Sequence, residues 1–214
     1  MIAARFIVLV IGYLLGTFQT GYLYGKSKGI DIRKHGSGNS GTTNTLRTLG
    51  WKAGAVTFAG DLLKAILAVA IAHLLYQGSC PDGVKVLELY AGFGAVLGHN
   101  FPFYLKFKGG KGIACTAGVI LVVCPQAVPV CLSLFLILVV ATRYVSLGSI
   151  CMLIAFVVQV ILFNHMGIIH IGADWVVEFD VLTICFAAMG IWRHRANIVR
   201  LLHGTENKFG QKAK

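Results

Sequence analysis

The stretch Gly109-Gly110-Lys111-Gly112 separates two apolar runs, Val86 to Tyr104 and Ile113 to Cys124. Three glycines around a single lysine favour neither a helix nor a strand, because glycine leaves the backbone too free. They favour a loop in which amide N–H groups and an ammonium group approach one ligand, which is the chemistry of an anion hole. The sequence therefore predicts two apolar segments joined by an anion-binding loop.

The composition of the whole chain is that of a membrane protein. It has 214 residues, of which 57% are hydrophobic and 13% are charged, and its mean hydropathy is +0.77. Soluble domains rarely have such values, so we predict an all-α integral membrane protein with a single domain over residues 1–214. The net charge of +11 would suggest nucleic acid in a soluble protein. Here the aromatic residues lie in the apolar runs, so we predict anionic substrates and lipid as partners, and no nucleic acid.

Seven apolar runs predict seven transmembrane helices. The fourth and fifth runs are shorter than the roughly 20 helical residues that a bilayer requires. They are therefore predicted either to borrow flanking residues or to form a re-entrant hairpin. The runs are Phe6 to Tyr24, Ala53 to Tyr76, Val86 to Tyr104, Ile113 to Cys124, Val130 to Ala141, Val145 to Phe163 and Trp175 to Trp192.

The distribution of basic residues predicts the orientation of these spans. Nearly all of the 19 Lys and Arg residues lie in alternate loops and in the C-terminal tail, whereas Arg5 and Lys85 lie on the opposite side. The positive-inside rule then places the N-terminus outside and the C-terminus in the cytoplasm. We interpret the first run as a retained span, because no small-residue cleavage site follows it.

Several features within the runs have structural interpretations. Gly12 and Gly16, and likewise Gly21 and Gly25, have the spacing that lets helices pack closely. Asp61 and Lys64 share a helix face, and we predict a neutralising pair in which the Lys64 side chain snorkels toward the membrane surface. The six cysteines contain no CxxC pair, so neither a disulfide framework nor a metal site is predicted.

The loop from Ser37 to Arg47 is rich in hydrogen-bond donors. Gly36 and Gly41 have the spacing of a Walker loop, but Thr42 stands at the lysine position, which argues against an NTPase. A flexible connector is the alternative interpretation. The density of Ser, Asn, Thr and Arg instead favours recognition of a phosphate.

The stretch from Arg193 to Glu206 predicts an amphipathic helix at the membrane interface. His194 and Asn197 share one face of it. A basic anchor for anionic lipid would explain the arginines, but it would not explain Asn197 or Glu206. The three polar stretches are predicted to face the same side of the membrane and to form one site for two phosphorylated substrates.

These three stretches, in this order, resemble the bacterial membrane glycerol-3-phosphate acyltransferases that use acyl phosphate as donor. The resemblance covers nearly the whole chain. It departs from the family at Ile113-Ala114-Cys115-Thr116 and at Thr17-Phe18-Gln19, where the family usually has Val-Ala-Thr and a proline. The residues that carry it are Ser37, Gly38, Asn39, Gly41, Asn44 and Arg47; then Gly98, His99, Phe101, Pro102, Phe107, Gly109, Gly110, Lys111 and Gly112; then His194, Asn197, Ile198, Arg200, Leu201, Gly204 and Glu206.

The resemblance implies transfer of a fatty acyl group to the 1-hydroxyl of glycerol-3-phosphate, at the cytoplasmic face of a bacterial inner membrane. Acyl phosphate is already activated, so no metal and no cofactor are expected, and we predict direct transfer rather than an acyl-enzyme on Ser37. The expected catalytic residues are Ser37, Arg47, Lys111, His194, Asn197 and Glu206. The expected substrate-binding residues are Gly38, Asn39, Gly41, Asn44, Gly98, His99, Gly109, Gly110, Gly112, Ser146, Ser149, Arg195 and Arg200.

Within that set, each polar group has an expected task. Lys111 and the glycine amides would stabilise charge on the carbonyl oxygen and the departing phosphate. Arg47 and Ser37 would hold a phosphate, His194 with Asn197 would orient glycerol-3-phosphate, and Glu206 would position a basic residue or receive a proton. A transporter of phosphorylated metabolites is the rival function, but it should show polar residues on both sides and internal repeats. A metal-dependent phosphotransferase is a second rival, but it would require clustered aspartates.

Overall fold

The computed structural model describes residues 1–211, and the regular secondary structure in that range consists of helices alone. Five helical segments are long and apolar enough to cross a membrane: Ile2–Ser27, Trp51–Tyr76, Pro125–Thr142, Val145–His165 and Ala173–Arg193. They correspond to the first, second, fifth, sixth and seventh predicted spans. The ten helices are α1 (Ile2–Gly16), α2 (Thr20–Ser27), α3 (Thr42–Leu49), α4 (Trp51–Tyr76), α5 (Val84–Asn100), α6 (Ile113–Val123), α7 (Val128–Thr142), α8 (Val145–His165), α9 (Val176–Arg193) and α10 (Arg195–Leu202).

Helix α5 lies at the centre of the bundle and contacts α1, α4, α6 and α9. Glycines permit its close approach to α1. A Cβ atom on Gly12 would lie 1.9 Å from the Ala91 oxygen, and one on Gly98 would lie 2.0 Å from the Tyr13 oxygen. The predicted packing role of Gly12 is thereby confirmed, and Gly98, predicted to bind substrate, serves the same helix contact.

The third and fourth predicted spans differ most from expectation. The third ends at Asn100, two residues before Pro102, rather than at Tyr104. The fourth is α6, whose 11 residues give a length of about 17 Å, roughly half the thickness of a hydrocarbon core. A short 3₁₀ turn at Pro125–Ala127 then extends α7 to an 18-residue apolar segment.

The first predicted span is interrupted at Thr17–Gln19, where α1 ends and α2 begins. An interruption at membrane depth exposes backbone carbonyls that need partners. The Tyr104 hydroxyl donates to the Thr17 carbonyl at 2.8 Å, and Lys64 Nζ donates to the Phe18 carbonyl at 2.6 Å. Side chains from other segments thus satisfy two of the backbone carbonyls that are exposed at this break.

The position of Lys64 corrects one prediction. Lys64 does pair with Asp61, with Nζ 2.9 Å from the carboxylate, but its head group is buried and is directed into the bundle. Snorkelling was therefore the wrong interpretation. The ammonium is retained inside because the broken helix supplies an acceptor there.

Candidate active site

A cavity of about 520 Å³ opens among the three polar stretches. Polar and charged side chains and hydrocarbon side chains both contribute to its lining. Of the residues predicted from the sequence, those at the cavity are Ser37, Asn39, Gly41, Asn44, Arg47, His99, Lys111, Gly112, Ser146, Ser149, His194, Asn197, Arg200 and Glu206. Tertiary structure thus brings together most of a set of residues that spans 170 positions of the chain.

The loop between α2 and α3 is organised by the buried side chain of Asn44. Its Nδ2 donates to the carbonyls of Ile32, His35 and Asn39 at 3.2, 3.0 and 2.9 Å, and its Oδ1 accepts from the Ser37 amide at 2.8 Å. Both N–H donors of this side chain are thereby engaged within the loop, so none is left to bind a phosphate. Asn44 therefore shapes the loop that presents Ser37 and Arg47.

Arg47 projects from α3 into the cavity with its hydrogen-bonding capacity unused. Across residues 1–211 its guanidinium has neither a hydrogen-bond partner nor an ion-pair partner, although Glu206 and Arg200 act on it through space. A guanidinium has five N–H donors in a planar fork that matches the oxygens of a phosphate. An unpaired arginine at a cavity is thus well suited to bind one.

The glycine-rich loop differs from the predicted anion hole. The Gly109 amide donates to the Asn100 carbonyl at 3.1 Å, and the Gly110 amide donates to the His99 carbonyl at 3.1 Å. These two amides are therefore engaged within the protein, and neither glycine lines the cavity. The prediction that they bind an anion was wrong, because the loop folds back onto the end of α5.

Amides that could bind an anion lie immediately after this loop, at the start of α6. Gly112 lies in the left-handed region at φ +79° and is the N-cap residue of α6, at the wall of the cavity. The first amide N–H groups of a helix have no acceptor within that helix, and they carry a partial positive charge. The glycine loop thus delivers Lys111 and a helix N-terminus to the same cavity.

Arg193 holds this loop in place, although sequence reasoning did not include it among the site residues. Its guanidinium donates to the Gly110 carbonyl at 2.6 and 3.1 Å and to the Gly109 carbonyl at 3.1 Å, and it stacks over Phe101. A clue was present in the sequence, since Arg193 adjoins His194. The partners lie more than 80 residues away, however, and could not be inferred.

Lys111 begins a chain of polar contacts that ends at a carboxylate. Its Nζ donates to Asn197 Oδ1, and Asn197 Nδ2 donates to Glu206 Oε1 at 2.7 Å. Glu206 also accepts from Ser146 Oγ at 3.2 Å and from Arg200 Nε at 2.7 Å. Both carboxylate oxygens are thus occupied, which makes Glu206 a group that positions the cations.

The charge of Lys111 is sensitive to this environment. Burial lowers the pKa of Lys111 to about 8, and the attraction of Glu206 partly offsets the repulsion from Arg200, Arg193 and Arg47. The ammonium form therefore predominates at neutral pH and is lost above pH 8. An incoming phosphate would favour the charged form further.

His194 is a neutral hydrogen-bond acceptor at the cavity. Its Nδ1 lies 2.7 Å from the Gly190 carbonyl, which can only accept, so Nδ1 carries the proton. Burial, with the nearby charge of Lys111, lowers the pKa of His194 to about 4. The remaining nitrogen, Nε2, is thus free to accept a hydrogen bond from a hydroxyl group.

The Asp61–Lys64 pair reaches the same cavity through His99. Asp61 and His99 both line it, and Lys64 Nζ lies 2.9 Å from His99 Nδ1. The sequence favoured a supporting role for Asp61 and Lys64. Their contact with a cavity-lining histidine was not predictable, since 35 residues separate Lys64 from His99.

Two further predicted residues, Gly38 and Arg195, lie outside the cavity wall. Gly38 has φ +71° and forms a turn in the first loop. Arg195 is exposed at the start of α10 and donates to the Trp192 carbonyl at 3.2 Å. The Ser149 hydroxyl does line the cavity, but it donates to the Val145 carbonyl at 2.8 Å.

Hydrocarbon side chains supply much of the cavity lining. Helices α4, α6, α7 and α8 supply them, and a ligand with a long apolar chain would fit between these helices. None of these apolar residues was among the site residues predicted from the sequence. They are Phe58, Leu62, Ile113, Ala117, Ile120, Leu121, Val128, Cys131, Leu132, Phe135 and Met152.

Comparison with known proteins agrees with this geometry. A family model described as glycerol-3-phosphate acyltransferase matches residues 6–204. The glycerol-3-phosphate acyltransferase of Clostridioides difficile (strain 630) is 42% identical over 212 residues, covering 96% of each chain. That of Bacillus subtilis (strain 168) is 41% identical over 203 residues, covering 94% of this chain and 96% of the relative.

Two solved structures are also similar to the whole fold. Both are of PlsY (YgiH), described as an integral membrane glycerol 3-phosphate acyltransferase, and both are 35% identical to this chain. The glycerol 3-phosphate form has a TM-score of 0.82 and covers 96% of both chains. The lysophosphatidic acid form has a TM-score of 0.80 and covers 96% of this chain and 95% of the other. A family match over most of the chain, relatives above 40% identity and a common fold lead to one conclusion: the chain belongs to the glycerol-3-phosphate acyltransferase family.

Proposed function

We propose that this protein transfers a fatty acyl group from acyl phosphate to the 1-hydroxyl of glycerol-3-phosphate. The products are lysophosphatidic acid and inorganic phosphate, and the reaction would be the first committed step of phospholipid synthesis. The hydroxyl oxygen forms a bond to the acyl carbon, and the bond from that carbon to the phosphate oxygen breaks. The hydroxyl proton ends on the phosphate that leaves, so charge and atoms balance.

One observation carries the proposal: the lining of the same cavity combines cationic side chains with hydrocarbon side chains. Arg200 pairs with Glu206 and Lys64 pairs with Asp61, so Arg47 and Lys111 leave an excess of positive charge for anionic groups. The hydrocarbon part of the lining matches the chemistry of an acyl chain. The descriptions of the two similar structures, a glycerol 3-phosphate form and a lysophosphatidic acid form, support the acceptor and the product.

Each polar group has a proposed task that its contacts support. Arg47 and Ser37 bind one phosphate, and Lys111 with the first amides of α6 stabilises charge on the carbonyl oxygen and on the departing phosphate. His194 Nε2 accepts a hydrogen bond from a glycerol hydroxyl. Glu206 holds Asn197 and Arg200 in position. Arg193 holds the loop that carries Lys111 through its hydrogen bonds to the Gly109 and Gly110 carbonyls.

We also propose that transfer is direct. Acyl phosphate is a mixed anhydride, so an acyl-enzyme would gain little, and a metal is not required for activation. Within residues 1–211 no base contacts the Ser37 hydroxyl, as a nucleophile would require, and the Ser37 amide donates to Asn44 Oδ1. A stoichiometric burst of phosphate without glycerol-3-phosphate, with label retained on the protein and lost in Ser37→Ala, would overturn direct transfer.

The proposed orientation has seven spans, an outer N-terminus and an active site facing the cytoplasm of a bacterial inner membrane. It is supported by the basic residues around the cavity. Lys108→Cys and Ser79→Cys test it, because both positions are exposed and they lie at opposite ends of the bundle. In intact cells a membrane-impermeant thiol reagent should label Ser79→Cys above the parent background. Labelling of Lys108→Cys without permeabilisation would reverse the topology.

The deciding experiment is an assay of purified protein with glycerol-3-phosphate and a choice of acyl donors, with EDTA present. Turnover with acyl phosphate, and none with an acyl thioester of the same chain length, is expected. Production of lysophosphatidic acid from the thioester alone would refute the proposed donor. A Lys111→Met variant checked for normal thermal unfolding provides the inactive control.

A further inference from the structure

The buried ammonium of Lys64 makes three contacts of hydrogen-bond length. Its Nζ lies 2.6 Å from the Phe18 carbonyl oxygen, 2.9 Å from Asp61 Oδ1 and 2.9 Å from His99 Nδ1. An ammonium has three N–H donors and no acceptor. Three protons therefore face three partners, and each partner must accept.

This count determines which nitrogen of His99 carries the proton. Nδ1 accepts from Lys64, so a neutral imidazole must hold its hydrogen on Nε2. The distance from His99 Nδ1 to Asp61 Oδ1 supports this, because 3.4 Å is longer than an ordinary N–H···O hydrogen bond. Asp61 thus balances the charge of Lys64, and Lys64 orients the ring.

The protonated nitrogen lies on the side of the ring next to the Lys111 loop. A Cβ atom on Gly110 would lie 2.0 Å from His99 Nε2, so Gly110 packs against this nitrogen and a side chain at that position would cover it. His99 lines the cavity, and Gly110 immediately precedes Lys111. A donor there lies beside the loop that carries Lys111.

We propose that Lys64 is a positioning residue that fixes the His99 tautomer, so that His99 Nε2–H donates a hydrogen bond to a phosphate oxygen in the cavity. His194 has the opposite tautomer, since its Nδ1 donates to the Gly190 carbonyl. The cavity then carries one imidazole donor and one imidazole acceptor. The phosphate ligand rests on the proposed function, whereas the tautomer of the ligand-free protein does not.

Nitrogen NMR of protein labelled with ¹⁵N-histidine tests the tautomer directly. His99→Gln and His194→Gln assign the two sets of signals. In the ligand-free wild-type protein, His99 should show a protonated Nε2 and an unprotonated Nδ1, and His194 should show the reverse. A His99 ring protonated at Nδ1, alone or together with Nε2, would overturn the proposal whatever the activity of the enzyme.

Addition of inorganic phosphate and, separately, of glycerol-3-phosphate tests the ligand. The resonance of the His99 Nε2 proton should move with either probe, and a response to glycerol-3-phosphate alone would show that the acceptor supplies the phosphate oxygen. Binding that shifts the His194 signals while leaving the His99 Nε2 proton unmoved would refute the donor role.

The double variant Asp61→Asn, Lys64→Met tests the positioning role without leaving an unpaired buried carboxylate. It should lose the fixed His99 tautomer and raise the KM for one phosphate substrate by about tenfold or more, with a smaller change in kcat. Measuring both KM values distinguishes acyl phosphate from glycerol-3-phosphate as the source. Lys85→Met is the matched control, and it should leave tautomer and KM unchanged. An unaltered tautomer in the double variant would show that Lys64 does not set it.

Discussion

The two ends of the helix bundle use charge in opposite ways. At the end that holds the N-terminus, Arg5 Nη2 and Nε each lie 2.5 Å from an oxygen of Glu178, and the Tyr90 hydroxyl donates to the same carboxylate at 2.9 Å. His73 pairs with Glu88 there at 2.6 Å. Each of these ionisable side chains has a partner within residues 1–211.

At the cavity end, cations exceed their partners. Arg200 is paired with Glu206, but Arg47 lacks a partner within residues 1–211, and Lys111 reaches Glu206 only through Asn197. Charged residues at the end of a membrane helix are therefore weak evidence of function by themselves. An excess of one sign in a cavity is stronger evidence, because a bound anion would complete the pairing.

The most severe test of this contrast is Lys111→Met. Removal of the ammonium from the cavity should lower kcat by about 100- to 1,000-fold, the usual cost of losing one group that stabilises developing charge. Lys85→Met removes a lysine that donates to the Val123 carbonyl away from the cavity, and it should retain near-normal kcat. Steady-state kinetics with an intact unfolding transition make the comparison, and similar rates for the two variants would remove the distinction between the ends.

Substitution of Arg47 by lysine should have the next largest effect. It keeps the charge and loses the planar fork, so kcat/KM should fall by about 10- to 100-fold. Arg5→Lys makes the same change at the opposite end of the bundle, where Arg5 pairs with Glu178, and it should leave kcat/KM almost unaltered. If Arg47→Lys were equally mild, bidentate binding of phosphate by Arg47 would be excluded.

Arg193 and Arg195 allow a comparison within the cavity end. Arg193→Met removes the hydrogen bonds that hold the carbonyls of Gly109 and Gly110, and kcat should fall by about tenfold through displacement of Lys111. Arg195→Met changes an exposed arginine outside the cavity and should alter kcat by less than about twofold. Equal losses in the two variants would indicate a shared role in attracting anions rather than support of the loop.

The smallest effect near neutral pH is the titration of Lys111. Its ammonium is present below a pKa of about 8 and is lost above it, so kcat/KM should decline through pH 8 and fall by about tenfold for each further unit. Lys111→Arg should retain its charge and move this decline to higher pH, at whatever activity it keeps. An alkaline limb at the same pH in both proteins would assign the titration to another group.

The sequence by itself determined the segments and their chemistry. Apolar runs long enough for a bilayer must form helices there, because unpaired backbone groups are too costly in hydrocarbon. Polar stretches that hold Ser37, Arg47, Lys111 and His194 could not lie within those runs. Their order along the chain identified the family, and most of their residues do meet at one cavity.

Only the tertiary structure decided how individual groups are used. The amides of Gly109 and Gly110 donate to backbone carbonyls, and the Asn44 side chain is hydrogen-bonded within its own loop. The Lys64 ammonium is buried and donates to the Phe18 carbonyl. Each outcome depends on whether a polar group finds a partner elsewhere in the chain, over separations from 5 residues for Asn44 and Asn39 to 46 residues for Lys64 and Phe18. Local sequence states which donors and acceptors exist. Tertiary packing decides which of them remain free for a substrate, because a group that is hydrogen-bonded within the protein is no longer available to a ligand.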